Sequence, residues 1–377
     1  MKYMDFINKN QKWIDETWYK LDEKLSKVSL RSRKKLPYTA INGVHDNKAD
    51  TDIGWWTNGF WGGLNWLMYV GTGKELYRET AMVSEEMLDK VFAIPKRLDH
   101  DAGFIWHLTA GLDYRLTGEE NAFNRNYKAA MSLMSRFNMR GNFIRAWNTD
   151  NAKGWSIIDC MMNLPLLYWA SEAMEDDRFM QVAISHADMA MQQHIREDGS
   201  VRHIVSHDLA TGKYKENLAG QGYAVDSSWS RGCAWAVYGF AIAYAHTKEK
   251  KYLQTAQKVA KHILENLEKT DWLPLTDFKA PESPIKYDST AGACIACGLL
   301  EIAKHVSEND APTYLISAIK LLEAMEKNWC NWEENTDSIL QMGMEAYCSQ
   351  QNIPIIYGDF FFVEALLKLR RQDFLAW

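Results

Sequence analysis

Six apolar stretches with few or no charges recur along the chain. They open near residues 55, 102, 157, 230, 289 and 358. One of them, Cys294-Ile295-Ala296-Cys297-Gly298-Leu299-Leu300, is apolar nearly all round, which is typical of a helix buried on every side. The pattern therefore predicts an inner layer of buried helices.

Each of the first five stretches is followed by a short polar break and then by a segment with apolar residues at helical spacing. One such break is Thr247-Lys248-Glu249-Lys250. The segment after it carries five apolar residues on one stripe: Tyr252, Ala256, Val259, Ile263 and Leu267. This spacing predicts a half-exposed amphipathic helix. Together with residues 4–25, these segments make six outer helices.

Six inner and six outer helices in alternation predict an all-α fold, an (α/α)6 toroid or six-hairpin barrel. We expect residues 1–377 to form a single domain of this kind. An open solenoid is the competing arrangement, but its repeats usually have periods of roughly 20 to 50 residues. Such a stack would also expose one flank of the apolar helices. Pro165 lies within the third stretch and must kink that helix or move its start.

Composition agrees with a helical protein and excludes some partners. Gly and Pro make up 30 of the 377 residues, about 8% against a usual share of roughly 12%. The net charge is −6 without a polybasic block, so no nucleic-acid partner is expected. The longest chargeless segment, residues 232–247, is shorter than the roughly 20 residues that span a bilayer, so we expect no membrane partner.

The six cysteines are dispersed, and the first residues lack the apolar run of a signal peptide. We therefore expect free thiols in a cytoplasmic protein. The 16 tryptophans, about 4% of the chain, are a marked excess. Flat indole rings suit the C–H faces of sugars, but they also fill large helical cores. Composition alone leaves both interpretations open.

Polar and tryptophan residues collect where the inner helices are expected to begin. The inner helices of an alternating toroid run in the same direction, so their N-termini share one face and would form a deep, aromatic, acidic funnel. For Asp288 and Asp359, helix capping is the favoured interpretation. Asp101 and Asp159 are flanked by apolar and aromatic residues. We expect burial to raise the pKa of both, as a general acid requires.

Other candidate sites are weaker. Cys294 and Cys297 have CxxC spacing without a second pair, which favours packing. His203 and His207 lie in a segment with the pattern of a strand and turn, where they would not form a helical zinc grip. No metal site is predicted.

Several short motifs together resemble the unsaturated glucuronyl hydrolases of glycoside hydrolase family 88, over about residues 50 to 370. The motifs are Trp56-Thr57-Asn58-Gly59-Phe60-Trp61, His100-Asp101-Ala102-Gly103-Phe104, Ile157-Ile158-Asp159-Cys160, Asn163-Leu164-Pro165-Leu166-Leu167, Trp229-Ser230-Arg231-Gly232, Asp288-Ser289-Thr290-Ala291 and Tyr357-Gly358-Asp359-Phe360.

The resemblance implies a six-hairpin toroid that acts on oligosaccharides released by polysaccharide lyases. It implies removal of a terminal uronic acid with a C4=C5 double bond by vinyl-ether hydration, without metal or organic cofactor. Asp159 matches the general acid and base of that family, and Asp101 matches its second essential carboxylate. The positions that match its substrate pocket are Trp56, His100, Trp147, His203, Gln221, Trp229, Arg231 and Trp235. Among these, Trp56 and Trp147 would stack on the sugar.

Arg231 would point its guanidinium fork toward the sugar carboxylate.

The chain also departs from the family pattern. Asp99 stands where a second His is often found, Cys233 replaces a common Gln, and residues 347–351 lack the Ser- and Lys-containing stretch some members use for sulfated substrates. The linkage, the sulfation preference and the oligomeric state therefore stay open.

Three alternatives also stay open. A hydrolase of unsaturated rhamnogalacturonan would share the scaffold and the chemistry. An inverting glycosidase would need an acid and a base about 6.5–9.5 Å apart across a saturated sugar. A non-catalytic carbohydrate-binding scaffold would not depend on the two carboxylates.

Overall fold

The protein is described by a computed structural model that covers residues 3–349, 352–371 and 374–377. Its six outer helices are α1 (Tyr3–Arg31), α3 (Glu75–Leu88), α5 (Glu120–Met134), α7 (Asp177–Gln193), α9 (Lys250–Leu267) and α11 (Ala311–Trp329). Five of the six inner positions are held by α2 (Asn58–Thr72), α6 (Pro165–Met174), α8 (Ser230–Thr247), α10 (Ser289–His305) and α12 (Ile356–Arg370). The remaining inner position, second in chain order, is held by a π-helix, Gly103–Gly111, that continues directly into α4 (Leu112–Thr117).

The inner helices form a closed ring. Along the ring, α2 contacts the π-helix, which contacts α6, followed by α8, α10 and α12, and α12 returns to α2. The long buried runs in α8, α10 and α12 explain this arrangement, because such helices have no face that tolerates solvent. The predicted toroid is therefore confirmed, and the open solenoid is excluded for the described part of the chain.

The outer helices pack on the inner ring with the apolar stripes predicted from the sequence. All five stripe residues of α9 are buried, from Tyr252 to Leu267, and α9 packs on α8. The N-terminal helix α1 contacts α12, α3 and α11, and so completes the outer layer. The pairing of one inner with one outer helix follows directly from the alternation of apolar and amphipathic segments.

Seven short strands lie in the connections between helices. They are β1 (Ala40–Ile41), β2 (Val44–His45), β3 (Phe137–Asn138), β4 (Phe143–Ile144), β5 (Trp155–Ile157), β6 (Ile204–His207) and β7 (Tyr214–Leu218). Strands β5, β6 and β7 form an antiparallel sheet in which Ile157 pairs with Ile204 and Ile204 with Leu218. Short 3-10 helices fill other connections, at Lys48–Asp50, Asp89–Ala93, Pro95–Arg97, Asp150–Ala152, Ile158–Met162 and Glu268–Thr270.

The third inner helix begins later than the apolar pattern indicates. The apolar stretch opens near residue 157, but its first residues form β5 and the 3-10 helix Ile158–Met162. Helix α6 starts at Pro165, where proline is well tolerated because its missing N–H would have no helical partner. Pro165 was expected either to kink the third inner helix or to move its start. The structure shows that it moves the start.

Aromatic side chains fill the centre of the ring and one of its ends. Phe60 lies at the centre and contacts Phe104, Tyr357 and Phe360, with ring centroids 5.2–5.7 Å apart. At the end opposite the inner-helix N-termini, the indole of Trp377 stacks on Phe361 at 6.0 Å. The toroid therefore has a filled interior, and its inner-helix N-termini face a single opening. In the described part of the chain, no helix is long and apolar enough to cross a membrane.

A glycine sets the distance between the first two inner helices. A Cβ on Gly59 would lie 2.2 Å from the carbonyl oxygen of Phe104 and 2.4 Å from that of Ile105. We predict that Gly59→Ala lowers the free energy of unfolding by about 3 kcal/mol, because the clashing atoms are backbone and must shift. Urea denaturation checks this. The exposed outer-helix change Lys12→Ala should stay within about 0.5 kcal/mol, and equal effects of the two changes would contradict the packing argument.

Candidate active site

A cavity of about 1190 Å³ opens at the face where the inner helices begin. Seven of the predicted site residues line it: Trp56, His100, Asp101, Trp147, Asp159, His203 and Gln221. Trp155 also lines it, with its ring 6.1 Å from that of Trp147. The sequence therefore predicted most of the lining, although the side chains come from connections that are distant along the chain.

The two carboxyl groups are brought together by the segments that enter two neighbouring inner helices. Asp101 lies just before the π-helix, and its Oδ2 is 3.4 Å from Nε2 of His100. Asp159 lies in the 3-10 helix after β5, and its Oδ1 is 3.4 Å from Nε2 of His203. Only 9% of the Asp101 side chain and 13% of the Asp159 side chain is exposed. Both line one cavity, and the expected burial is confirmed for Asp101, whereas Asp159 is partly buried.

Asn163 connects the two carboxyl-bearing segments. Its Nδ2 lies 3.5 Å from Oδ1 of Asp101 and 3.4 Å from the carbonyl oxygen of Asp159. Its Oδ1 accepts a hydrogen bond of 2.8 Å from the backbone N–H of Phe104. No role was predicted for Asn163. The available signal was a buried amide just before Pro165, in a stretch otherwise without polar groups.

The pKa values of the two carboxyls are shifted in opposite directions. Burial raises the pKa of Asp101 well above its usual value, and the nearby carboxylates of Asp99 and Asp159 raise it further. Burial is the largest single effect on Asp159 and acts to raise its pKa, but His203, His100 and Arg231 together outweigh it and the pKa is lowered. The prediction of a raised pKa is confirmed for Asp101 and wrong for Asp159. Two adjacent carboxyls thus differ in ionisation.

His100 completes the buried polar floor of the cavity. Burial lowers its pKa to about 3, so its ring is neutral near pH 7. Its ring lies 6.1 Å from that of Trp147, close to perpendicular. The floor therefore combines a neutral imidazole with one carboxyl whose pKa is raised and one whose pKa is lowered.

Three of the predicted pocket residues lie behind the cavity wall. Trp229 and Trp235 are buried, and Trp235 packs 5.3 Å from Phe104. Arg231 is 1% exposed, and its guanidinium is held by the protein itself. Its partners are Asp288 Oδ2 at 2.9 Å, Thr290 Oγ1 at 3.1 Å and the carbonyl oxygens of Met344 and Glu345. The prediction that Arg231 forks toward a sugar carboxylate does not match this geometry.

The two expected capping residues differ from each other. Asp288 caps α10, because its Oδ1 accepts from the backbone N–H of Thr290 at 3.1 Å. Asp359 instead lies within the first turn of α12 and accepts from the backbone N–H groups of Ile339 and Leu340, at 3.0 and 2.7 Å. Burial raises the pKa of Asp359 to about 6. The capping prediction is confirmed for Asp288 and wrong for Asp359.

The two CxxC cysteines and His207 are packed within the fold, away from the cavity. Cys294 and Cys297 are buried free thiols within α10. His207 is part of strand β6 and stacks on Phe143 at 4.2 Å, while His203 immediately precedes that strand. Within residues 3–349, 352–371 and 374–377, no three His, Cys, Asp or Glu side chains cluster closely enough to hold a metal ion.

A closed six-hairpin toroid with two unlike carboxyls in a tryptophan-walled cavity defines a carbohydrate-cleaving hydrolase. A family model described as Glycosyl Hydrolase Family 88 matches residues 31–246. The unsaturated glucuronyl hydrolase of Bacillus sp. (strain GL1) is 34% identical over 333 residues, which is 84% of this chain and 86% of that protein. The chain belongs to glycoside hydrolase family 88, and the resemblance seen in its motifs is confirmed.

Solved structures agree with this assignment. A crystal structure of unsaturated glucuronyl hydrolase from Bacillus sp. GL1, responsible for the degradation of glycosaminoglycan, has a TM-score of 0.89 and 29% identity, covering 94% of this chain and 97% of that one. An Asp-to-Asn variant of the Streptococcus agalactiae enzyme, complexed with dGlcA-GalNAc6S, has a TM-score of 0.80 and 25% identity, covering 97% and 93%.

The raised pKa of Asp101 predicts a pH-dependent effect on stability. Above the ordinary carboxyl pKa of 3.8, the folded state still holds a proton that the unfolded state has released. The free energy of unfolding therefore falls as the pH rises toward the folded pKa. We predict that Asp101→Asn is more stable than the wild type at pH 8 and that this advantage shrinks as the pH falls toward about 4.

Urea denaturation at several pH values measures this effect. The control is Asp150→Asn, since Asp150 is a 96% exposed side chain at the cavity mouth and its substitution should change little at any pH. An Asp101→Asn difference that is constant with pH would contradict the raised pKa.

Proposed function

We propose that this chain removes the unsaturated 4-deoxy-Δ4,5 uronic acid from the non-reducing end of glycosaminoglycan-type oligosaccharides made by polysaccharide lyases. The observation that carries the proposal is the pair of buried carboxyls with opposite pKa shifts in one cavity. The named substrates of the related enzymes from Bacillus and Streptococcus support the same class.

The proposed reaction is hydration of a vinyl ether. A proton is added to C4, water adds to C5 and loses a proton, and the resulting hemiketal opens to release the next sugar. The chemistry requires one group that donates a proton to carbon and one that accepts a proton from water. A single carboxyl can supply both in turn, as an acid when protonated and as a base once it has given up its proton.

Asp159 is the proposed acid and base, and Asp101 is the proposed partner that holds the sugar hydroxyls. Without a ligand beside it, the low pKa of Asp159 favours the carboxylate. A bound uronate would bring a second negative charge next to Asp159 and raise its pKa. Substrate binding would thus favour protonation of Asp159 at the moment when C4 needs the proton. The raised pKa of Asp101 favours its protonated form, which could donate a hydrogen bond to a sugar hydroxyl.

The walls of the cavity suit a sugar chain. Trp56 and Trp147 present flat apolar faces beside the carboxyls, as needed for stacking on a pyranose ring. The volume of about 1190 Å³ exceeds the roughly 300–1,000 Å³ of sites for drug-sized ligands. It therefore leaves room for more than the terminal sugar.

Turnover of a defined unsaturated disaccharide tests the proposal. We expect the wild type to remove the enol-ether absorbance and Asp159→Asn to lower kcat on the order of 10²- to 10⁴-fold, the usual contribution of a general acid or base. Binding should be largely kept, because Asn has nearly the same shape, and calorimetry measures it. Asp226→Asn changes an exposed carboxylate outside the cavity lining; it is the control and should keep wild-type turnover. A fully active Asp159→Asn variant would contradict the role of Asp159, and a wild type that binds the disaccharide without turnover would support the non-catalytic scaffold.

A substrate panel separates the alternatives. We expect higher kcat/KM for unsaturated chondroitin or heparin disaccharides than for the rhamnogalacturonan disaccharide, and no cleavage of the saturated forms. The physical reason is that a saturated sugar has no electron-rich C4 to accept the proton. A preference for rhamnogalacturonan would select the alternative substrate, and release from saturated sugars would indicate an ordinary inverting glycosidase.

A further inference from the structure

We propose that the Gly220–Gln221 turn is a positioning element that holds His203 in the tautomer with its proton on Nε2, directed at Asp159. This inference deepens the proposed function and rests on it for its catalytic consequence. The geometric part concerns the protein alone and is tested separately.

The hydrogen bonds of the imidazole define its tautomer. The backbone N–H of Gln221 donates to Nδ1 of His203 over 3.0 Å. A ring nitrogen that accepts a hydrogen bond carries no proton, so the proton of the neutral ring is on Nε2. This Nε2 lies 3.4 Å from Oδ1 of Asp159. Within the described residues, neither of these two atoms forms a hydrogen bond, even to the other. The ring nitrogen that carries the proton is therefore the one that lies beside the carboxylate.

Glycine at position 220 is what lets the turn approach the ring. Gly220 has φ of +59°, and a Cβ there would lie 2.0 Å from Nδ1 and 2.8 Å from Cε1 of His203. A side chain would thus face both the conformational penalty of the left-handed region and a direct clash with the imidazole. Either effect would move the N–H of Gln221 away from Nδ1.

The turn is anchored on the loop that precedes α12. Gln221 donates from Nε2 to the carbonyl oxygen of Glu345 over 2.7 Å, and its own carbonyl accepts from the N–H of Tyr347 over 2.9 Å. Arg231 binds the carbonyl oxygens of Met344 and Glu345 in the same loop. Arg231 therefore acts on the site through the backbone, as a positioning residue without contact to the cavity.

The tautomer matters because the opposite one would turn a lone pair toward Asp159. Two electron-rich atoms would then face each other in a buried site, where such repulsion is strong. With the proton on Nε2, His203 instead orients the carboxylate and stabilises its ionised form. The Trp229 ring, 4.4 Å from that of His203, restricts the imidazole from the other side.

The test compares Gly220→Ala with a matched glycine control. Gly118 has φ of +77°, and no atom lies within 4 Å of the position its Cβ would take. Gly118→Ala therefore carries the same kind of backbone penalty without any contact. We expect Gly220→Ala to lower kcat about 100-fold, the scale of a displacement of about 1 Å in a catalytic group, with KM changed far less. Gly118→Ala should keep the wild-type kcat.

Nitrogen-15 NMR of histidine-labelled protein without substrate measures which ring nitrogen of His203 carries the proton. This measurement would not change if the Gly220–Gln221 turn only stabilised the fold. The signal of His203, one of ten histidines, is assigned by its loss in His203→Gln. The wild type should show a protonated Nε2 and an unprotonated, hydrogen-bonded Nδ1. In Gly220→Ala the Nδ1 signal should shift as its bond is lost, whereas Gly118→Ala should leave it in place.

Two results would overturn the proposal. One is a wild-type spectrum with the proton of His203 on Nδ1, which remains measurable if Gly220→Ala does not fold. The other is a folded Gly220→Ala variant with wild-type kcat and an unchanged His203 signal. If the wild type turns over no unsaturated substrate, the proposed function fails while the spectrum still decides the tautomer.

Discussion

The shared position of Asp101 and Asp159 depends on Asn163. This amide contacts the side chain of Asp101, the backbone of Asp159 and the N–H of Phe104. It thereby joins the beginning of the π-helix to the 3-10 segment that leads into α6. These segments lead into neighbouring inner helices of the ring. Packing of the two helices against each other therefore also brings Asp101 and Asp159 into one cavity.

Burial of the pair determines both chemistry and stability. A raised pKa at Asp101 means that the folded protein resists ionisation there, which costs stability at high pH. The lowered pKa at Asp159 results from the opposite surroundings, with His203 beside the carboxylate. The site therefore combines a destabilised anion and a stabilised one within a single cavity. This difference fits the separate roles proposed for the two groups, proton transfer for Asp159 and sugar binding for Asp101.

Much of the fold was predictable because burial imposes a pattern on the sequence. Inner helices such as α10 must be apolar on all faces, and outer helices such as α9 need one stripe. Local backbone forms were not predictable in the same way. The π-helix Gly103–Gly111 and the 3-10 helix Ile158–Met162 depend on how neighbouring segments pack, and apolar composition does not distinguish them from ordinary helix.

The residues of the site were predictable by type, but their surroundings were not. The motifs identified Asp101, Asp159 and the tryptophan walls, whereas the sign of the pKa shift at Asp159 depends on a histidine from another connection. The surroundings of Asp359 could not be predicted from the sequence either. It stands where a cap would be expected, but its acceptors are taken by two N–H groups from a segment that lies earlier in the chain.

Arg231 is a buried charge whose hydrogen bonds connect several elements near the site. A guanidinium at the start of α8 is disfavoured by the helix dipole and by burial, so it must find several acceptors. It finds Asp288, which also caps α10, and two carbonyl oxygens of the loop before α12. The fourth, fifth and sixth inner positions are thus joined at the face that carries the cavity. Because that same loop holds Gln221, a single buried cation links the ring to the orientation of His203.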